Sequence, residues 1–151
     1  MSKHEAVYIL DGCRSPIGRG HPEKGMYRNL RAEELAVHTL KALLARNSLD
    51  PERIDDFYLG CVDQLMEQGK NLARLIVLLS GLPRTIPGLT INRLCASSLT
   101  ALQLAADGIL GRARCERRAQ GKDKPCRRRS APIRASACSG WQSPSESVEK
   151  T

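Results

Sequence analysis

A change in composition after Gly111 limits where this chain can build a hydrophobic core. Residues 112–151 contain 11 Lys and Arg against 4 Asp and Glu, a net charge of +7, and they contain no leucine or phenylalanine. So polar a segment buries too little apolar surface to offset the entropy lost when its backbone is ordered. We therefore predict a folded domain over residues 1–111, followed by a disordered Arg/Ser-rich tail over residues 112–151.

Short β-favouring runs alternate with longer helical runs in the first 111 residues. The predicted strands are residues 6–11, 57–62 and 89–92, and the predicted helices are residues 32–46, 70–79 and 96–110. Between the first strand and the first helix, residues 12–29 are rich in Pro and Gly and read as a long loop. The order β-α-β-α-β-α predicts an α/β fold with a mostly parallel sheet and helices covering it.

Cys95 lies where the third predicted strand meets the third predicted helix. The unpaired N–H groups and the dipole at a helix N-terminus favour the thiolate, which is the nucleophilic form of cysteine. A cysteine in this position also packs well as a small buried hydrophobe, so the residue alone leaves both interpretations open. In the helix that follows, the apolar residues recur at spacings of three and four, which predicts its buried face. They are Leu99, Leu102, Ala106, Ile109 and Leu110.

Three motifs, in this order along the chain, add to the evidence from Cys95. They are VYILDGCRSPIG at residues 7–18, LGCV at 59–62 followed by QGKNLAR at 68–74, and INRLCASSLTA at 91–101. In order and spacing they resemble the thiolase family, the acyl-CoA acetyltransferases that make or cleave 3-ketoacyl-CoA. The related ketoacyl synthases lack the Arg14-Ser15-Pro16 opening and place a different context before their cysteine. The resemblance covers residues 4–111, with Ser98 where the family commonly has glycine and Leu94 where many members have glutamine.

The resemblance implies that Cys95 attacks an acyl-CoA thioester and that the acyl group then passes to CoA or acetyl-CoA. It implies fatty acid metabolism, CoA thioesters as substrates and no cofactor. The family takes an activating histidine and a second cysteine from its C-terminal half. Neither position occurs in these 151 residues, and we expect solvated or packing roles for His4, His21 and His38. We therefore expect a truncated thiolase-type acyltransferase with little or no turnover by itself.

The resemblance also implies a partial fold. A thiolase consists of two βαβαβαββ halves, and this chain resembles the first half without its last two strands. In the family's strand order, 3-2-1-4-5, that would leave the strand at residues 6–11 as an unprotected edge, so we expect marginal stability. The resemblance further implies a homo-oligomer formed through this half, in which the loop at residues 63–69 is expected to reach a neighbouring subunit.

The basic tail allows three interpretations. Its arginines are suited to phosphate contacts with nucleic acid or another polyanion, although Trp141 is its only aromatic residue and no nucleic-acid module precedes it. Cys115, Cys126 and Cys138 lack the C-x-x-C spacing of a metal site. A reading-frame change in a GC-rich gene also produces such a composition, and we favour that origin. A non-catalytic thiolase remnant with a polyanion-binding tail is the alternative function.

Other sequence features indicate the cellular setting. There is no run of 18 apolar residues and no hydrophobic leader after Met1, so we expect neither a membrane span nor a signal peptide. Six cysteines without a tight framework are typical of a reducing compartment, which predicts a cytoplasmic protein. Cys13 and Cys61 fall in or beside predicted strands, and we expect both to be core thiols.

Overall fold

The computed structural model describes residues 6–120 and the pair 134–135. The helices are α1 (Ala32–Asn47), α2 (Leu72–Leu79) and α3 (Ser97–Gln120), and two 3-10 turns span Pro51–Arg53 and Met66–Gln68. The strands are β1 (Phe57–Gly60), β2 (Gly88–Ile91) and β3 (Arg134–Ala135). This α/β arrangement confirms the predicted fold class.

The sheet has the strand order β2-β1-β3, and both pairings are parallel. The β1–β2 register runs from the pair Phe57–Gly88 to the pair Gly60–Ile91. The two residues of β3 pair with Phe57 and Tyr58, the first half of β1. β1 is therefore the central strand, and both of its neighbours run parallel to it, as predicted.

Two glycines in the strands allow a helix to pack closely on each face of the sheet, which gives the fold its three layers. A Cβ atom at Gly60 would lie 2.5 Å from the Ser98 nitrogen of α3, and one at Gly88 would lie 2.6 Å from the Arg74 nitrogen of α2. Side chains alternate between faces along a strand, and in the observed register these two glycines lie on opposite faces of the sheet. Helix α2 therefore covers one face and α3 the other, each in backbone contact with the sheet.

The hydrophobic core lies on the face covered by α1 and α2. Its centre consists of the fully or almost fully buried residues Leu59 of β1, Ala73, Ile76 and Val77 of α2, and Ile86 in the loop before β2. Local signals in the sequence explain why these elements form: Asn71 accepts a hydrogen bond from the Arg74 N–H at the start of α2, and Asp50 caps the turn at Pro51–Arg53. The predictions for α1, α2, β1 and β2 are confirmed to within two residues at each end.

The strand predicted at residues 6–11 is wrong. This segment has no regular structure, and the side chains of Tyr8, Ile9 and Leu10 are 76%, 75% and 63% exposed. At β1, the first half of the edge opposite β2, which such a strand would join, is paired with β3. The segment is instead held at Asp11, whose carboxylate accepts hydrogen bonds from Arg46 and Asn47 at the end of α1.

Helix α3 is longer than predicted and buries a different face. It continues past Leu110 to Gln120, because Arg, Ala, Glu and Gln in its last turns are strong helix formers. Among residues 97–111 of this helix, the buried ones are the small Ser97, Ala101 and Ala105. Leu99 and Leu102, which periodicity placed in the core, are exposed instead, because the close approach of α3 to Gly60 leaves room for small side chains only.

The boundary predicted after residue 111 falls inside α3. The division into a domain at 1–111 and a disordered tail at 112–151 stays a prediction for the segments 121–133 and 136–151. These segments, with Cys126, Cys138 and Trp141, lie outside the described residues, as does the side chain of Cys115. His4 also lies outside them.

One stretch of the described chain has the length and composition of a membrane span. Leu94–Gly111 has a mean hydropathy of 1.3, and 17% of it is buried. The stretch is not an unbroken apolar run, because it includes polar residues such as Ser97, Thr100 and Asp107. Length and composition alone are weak evidence for a span, since core helices of soluble proteins pass the same test.

Candidate active site

The turn between β2 and α3 carries Cys95 and is fixed by Asn92. The Asn92 side-chain amide donates to the Val62 carbonyl at 2.8 Å, and its Oδ1 accepts from the Leu94 N–H at 3.0 Å. Leu94 has a φ of 50°, in the left-handed range that favours glycine. The turn is therefore sharp, and it brings Cys95 to the start of α3.

Ser97 closes the same turn from the helix side. Its hydroxyl donates to the Leu94 carbonyl at 2.6 Å and accepts from the Arg93 N–H at 2.8 Å. Ser97 is buried, and it lies where the backbone of α3 contacts Gly60 of β1. Cys95 is thus placed beside the carboxyl end of the central strand, the edge where parallel sheets bind their ligands.

Cys95 is exposed and free, and it lies on the wall of a cavity of about 620 Å³. Most of the wall is apolar. It includes Ile17 of the long loop, Leu35 and Ala36 of α1, Leu59 of β1, and Leu72 and Ile76 of α2. The polar side chains on the wall include Arg14, Tyr27, Asp63 and Gln68. The volume and this mixture are typical of a pocket for a small, mainly apolar ligand.

Two further free thiols, Cys13 and Cys61, line the same cavity. Cys61 is buried, and its S–H donates to Gln68 Oε1 at 3.7 Å and to the Asp63 carbonyl at 3.5 Å. Burial raises the pKa of the Cys61 thiol, so this residue stays protonated and a poor nucleophile at neutral pH. The core location predicted for Cys61 is confirmed, whereas Cys13 is half-buried and donates to the Thr39 carbonyl at 3.3 Å.

Sequence reasoning missed that all three thiols face one cavity. Cys13, Cys61 and Cys95 are far apart in the sequence, and their spacing carries no signal of this. The one available clue was that LGCV and INRLC both lie at the carboxyl ends of predicted strands, because the carboxyl ends of neighbouring parallel strands meet at one edge. The Cys61 N–H donates to the Ile91 carbonyl at 3.0 Å, and this hydrogen bond joins the carboxyl ends of the two strands.

The other motif residues brace the structure around the site. Asn71 donates to the Gly88 carbonyl at 2.8 Å and accepts from the Thr90 hydroxyl, which ties α2 to β2. Arg74 donates to the carbonyls of Ile86 and Arg84. Much of the second motif therefore serves the fold.

The two described histidines lie away from Cys95. His21 accepts hydrogen bonds from the N–H groups of Glu23 and Lys24 within its own loop, and His38 is exposed on α1. Neither lines the cavity, which agrees with the expected solvated or packing roles. Within the part of the chain that the structure describes, no group of three His, Cys, Asp or Glu side chains is placed to hold a metal ion.

Comparison with known proteins gives consistent matches. Residues 7–115 match the family model described as "Thiolase, N-terminal domain". The chain is 48% identical over 107 residues to a 3-ketoacyl-CoA thiolase of Erwinia tasmaniensis and 49% identical over 107 residues to one of Citrobacter koseri, with 70% of this chain and 27% of each relative covered. It is 50% identical over 103 residues to one of Pseudoalteromonas translucida, with 68% and 26% covered. The chain thus matches about a quarter of the length of these relatives.

Proposed function

This chain belongs to the thiolase family, and we propose that Cys95 is the acyl-accepting nucleophile of a thiolase-type acyltransferase. In the first step the Cys95 thiolate attacks the carbonyl carbon of an acyl-CoA thioester. A new carbon–sulfur bond forms to Cys95, the bond to the CoA sulfur breaks, and CoA leaves as its thiolate. In the second step CoA, or a carbanion derived from acetyl-CoA, takes the acyl group and releases Cys95.

The placement of Cys95 is the observation that carries this proposal. Of the three thiols that line the cavity, Cys95 is the exposed one and lies on the sharp turn at the start of α3. Cys61 is held as a buried thiol, and Cys13 donates its proton to a backbone carbonyl. The cavity therefore offers one accessible sulfur to a thioester.

We further propose that the 151-residue chain by itself accepts an acyl group but does not turn over. Release of the acyl group requires a base or acid close to the thioester, and among the described residues no histidine lines the cavity. Gln68 on its wall carries no titratable group, and its side-chain oxygen accepts the Cys61 S–H. The acyl-cysteine would thus accumulate.

Acyl transfer to the purified chain tests both parts of the proposal. We expect incubation with acetyl-CoA, acid quenching and peptide mass spectrometry to find one acetyl group on Cys95 and none on Cys61 or Cys13. Cys95→Ser should abolish the adduct, and Cys61→Ser should leave it unchanged. Iodoacetamide at neutral pH should likewise label Cys95 first. Equal, slow labelling of Cys13, Cys61 and Cys95 would contradict a nucleophile at Cys95, and steady release of product would contradict the lack of turnover.

A homo-oligomer that uses the loop from Asp63 to Gly69 is the partner we propose. Met66 at the tip of this loop is 97% exposed and has a φ of 45°, and the neighbouring Leu65 is also exposed. An exposed apolar tip on a left-handed backbone is favoured when a partner surface covers it. Light scattering on the chain and its Met66→Ser variant tests this. We expect a loss of oligomer in the variant, and an unchanged mass would contradict this contact.

The concentration of charge in residues 112–151 supports a second candidate, binding of nucleic acid or another polyanion by the tail. Such binding should weaken steeply with salt, because it releases counterions from the phosphates. Fluorescence anisotropy with labelled single- and double-stranded DNA at two salt concentrations tests it, with a chain ending at residue 120 as the control. Equal binding by both chains would eliminate residues 121–151 as the binding element.

A reducing compartment such as the cytoplasm is the setting we propose. The support is that Cys13, Cys61 and Cys95 are free thiols, and that the site chemistry needs Cys95 reduced.

A further inference from the structure

Helix α3 has an apolar stripe on the side that does not pack on the sheet. Ala101 and Ala105 of α3 are buried, whereas Leu99 and Leu102 are 68% and 37% exposed. The stripe combines these two leucines with three half-buried residues further along the helix. Its members, which recur at spacings of three and four, are Leu99, Leu102, Ala106, Ile109 and Leu110. Removing this stripe from water requires a surface beyond the described residues.

A strongly basic segment directly follows the stripe in the same helix. α3 continues to Gln120, and its residues 112–120 contain four arginines against one glutamate. Residues 121–151 contain a further seven Lys and Arg against three Asp and Glu, so the net charge after Gly111 is +7. An apolar stripe and a cluster of positive charge therefore adjoin along one helix. This arrangement is typical of helices that lie on anionic membranes.

We propose that α3 docks on an anionic lipid membrane, with its stripe inserted at the boundary of headgroups and acyl chains and its arginines close to the lipid phosphates. The helix lies along the membrane surface, because Ala101 and Ala105 stay packed on the sheet while the opposite side enters the lipid. Spanning the membrane would instead require α3 to leave the sheet, where its backbone approaches Gly60. This inference does not depend on the role proposed for Cys95.

An anionic membrane is the occupant that fits both features. A nucleic acid complements the positive charge but leaves the stripe in water. A second copy of the chain covers the stripe, but it carries the same positive charge and leaves that charge without a counterpart. One row of side chains is also a small contact beside the roughly 1,200–2,000 Å² that stable protein interfaces bury. The combination of stripe and charge therefore favours lipid.

Each feature should contribute measurably to the affinity. A Lys or Arg close to an anionic lipid surface strengthens binding by about fivefold. Transfer of an exposed leucine side chain from water into an apolar environment strengthens it by about tenfold. Separate variants of the stripe and of the basic segment can therefore test the two contributions.

Sedimentation of the full 151-residue chain with sucrose-loaded vesicles measures the binding. One set of vesicles consists of phosphatidylcholine, which has no net charge, and the other of equal parts phosphatidylcholine and anionic phosphatidylglycerol. We expect binding to the anionic vesicles, much weaker binding to the neutral ones, and a loss of affinity with added salt. Light scattering of the chain without lipid reports its oligomeric state in the same buffer.

The stripe is tested with the double variant Leu99→Ser/Leu102→Ser. We expect it to bind the anionic vesicles at least about tenfold more weakly than the unchanged chain, because two leucines no longer enter the lipid. The matched control is Leu78→Ser/Leu79→Ser, which alters two leucines that are 45% and 49% exposed on α2. This control should retain the binding.

The basic segment is tested with the double variant Arg114→Gln/Arg117→Gln. We expect binding to the anionic vesicles to fall by about fivefold for each arginine removed. Lys24→Gln/Lys41→Gln removes the same charge from exposed positions of the long loop and of α1, and it should have a smaller effect.

Specific results would overturn the inference. Equal binding to neutral and anionic vesicles, or unchanged binding by Leu99→Ser/Leu102→Ser, would do so, and the second result would leave binding of a polyanion by charge alone. A smaller mass of that variant without lipid would show that the stripe joins copies of the chain. Circular dichroism and slow iodoacetamide labelling of Cys61 verify the fold of each variant. If the double variant unfolds, Leu99→Ser alone decides, because Leu99 is the most exposed residue of the stripe.

Discussion

The two faces of the sheet differ in the size of the side chains that are packed against them. The face under α1 and α2 buries large aliphatic side chains, with Ile76 and Val77 fully buried against Leu59 of β1. On the other face, α3 buries the small residues Ala101 and Ala105 and leaves Leu99 and Leu102 exposed. The first face supplies the stability of the fold, whereas the second holds a helix close enough to position Cys95. Stability and site geometry therefore depend on different residues, and substitutions can separate them.

The largest expected effect contrasts the two faces directly. Ile76→Ala should lower the free energy of unfolding by about 2–5 kcal/mol, because it leaves a cavity in a packed core. Leu99→Ser, on the exposed face of α3, should change it by less than about 0.5 kcal/mol. Urea unfolding followed by circular dichroism measures both. Similar losses for the two variants would mean that the face under α3 is as well packed as the core.

The next effect concerns the two glycines that hold the helices against the sheet. Gly60→Ala and Gly88→Ala should each cost about 1–3 kcal/mol, because the added Cβ meets helix backbone in both cases. Only Gly60→Ala should alter iodoacetamide labelling of Cys95, because Gly60 contacts the start of α3 and Gly88 contacts α2. The two variants control for each other. If Gly88→Ala changed the labelling rate of Cys95 as much as Gly60→Ala does, the two faces of the sheet would not be independent.

A smaller effect is expected at Ser97, whose hydroxyl bridges Leu94 and Arg93 across the Cys95 turn. Ser97→Ala should cost about 1 kcal/mol, since the Arg93 N–H then loses its side-chain acceptor. The rate of Cys95 labelling should change with it, whereas Ser98→Ala, one residue along, should leave that rate unaltered. Labelling rates in the two variants check this, and equal rates in Ser97→Ala and the unchanged chain would contradict a role for the hydroxyl in the turn.

The smallest effect lies at the surface, where Asp11 joins the N-terminal segment to α1. Hydrogen bonds from Arg46, then Asn47 and the Gly12 N–H, hold the pKa of the Asp11 carboxyl well below its usual range. A carboxyl whose pKa is lower in the folded state stabilises the fold above its unfolded pKa of about 3.9 and loses that contribution as the pH falls. The melting temperatures of the chain and of Asp11→Asn should therefore differ slightly at pH 7, and the difference should begin to shrink near pH 4 and continue to shrink as the pH falls toward the lower pKa of the folded state. A constant difference across this range would contradict the assignment.

Sequence patterns predicted the elements whose signals are local. α1, α2 and the turn at Pro51–Arg53 follow from apolar periodicity and from caps such as Asp50, and β1 and β2 follow from short β-favouring runs. The segment at residues 6–11 has the same kind of composition as β1. Whether such a run becomes a strand depends on a free edge in a sheet that its own residues do not reveal.

The errors in α3 and in the cavity have a related cause. Periodicity marks large apolar residues as the buried face, but the distance between α3 and β1 is set by Gly60, some forty residues earlier in the chain. Cys95 was identifiable from its motif and its place before a helix. The gathering of Cys13 and Cys61 around the same cavity depends on strand register and could not be inferred from spacing.

The left-handed backbone at Leu94 has a consequence for how variation beside Cys95 is interpreted. At a φ of 50°, glycine and asparagine are comfortable, unbranched side chains are tolerated at some cost, and valine, isoleucine and threonine are strongly disfavoured. The backbone φ angle thus limits the range of amino acids that this position accepts. Leucine and glutamine are both unbranched at Cβ and both tolerated at this angle, so the exchange of one for the other carries little information about which acyl group the protein prefers.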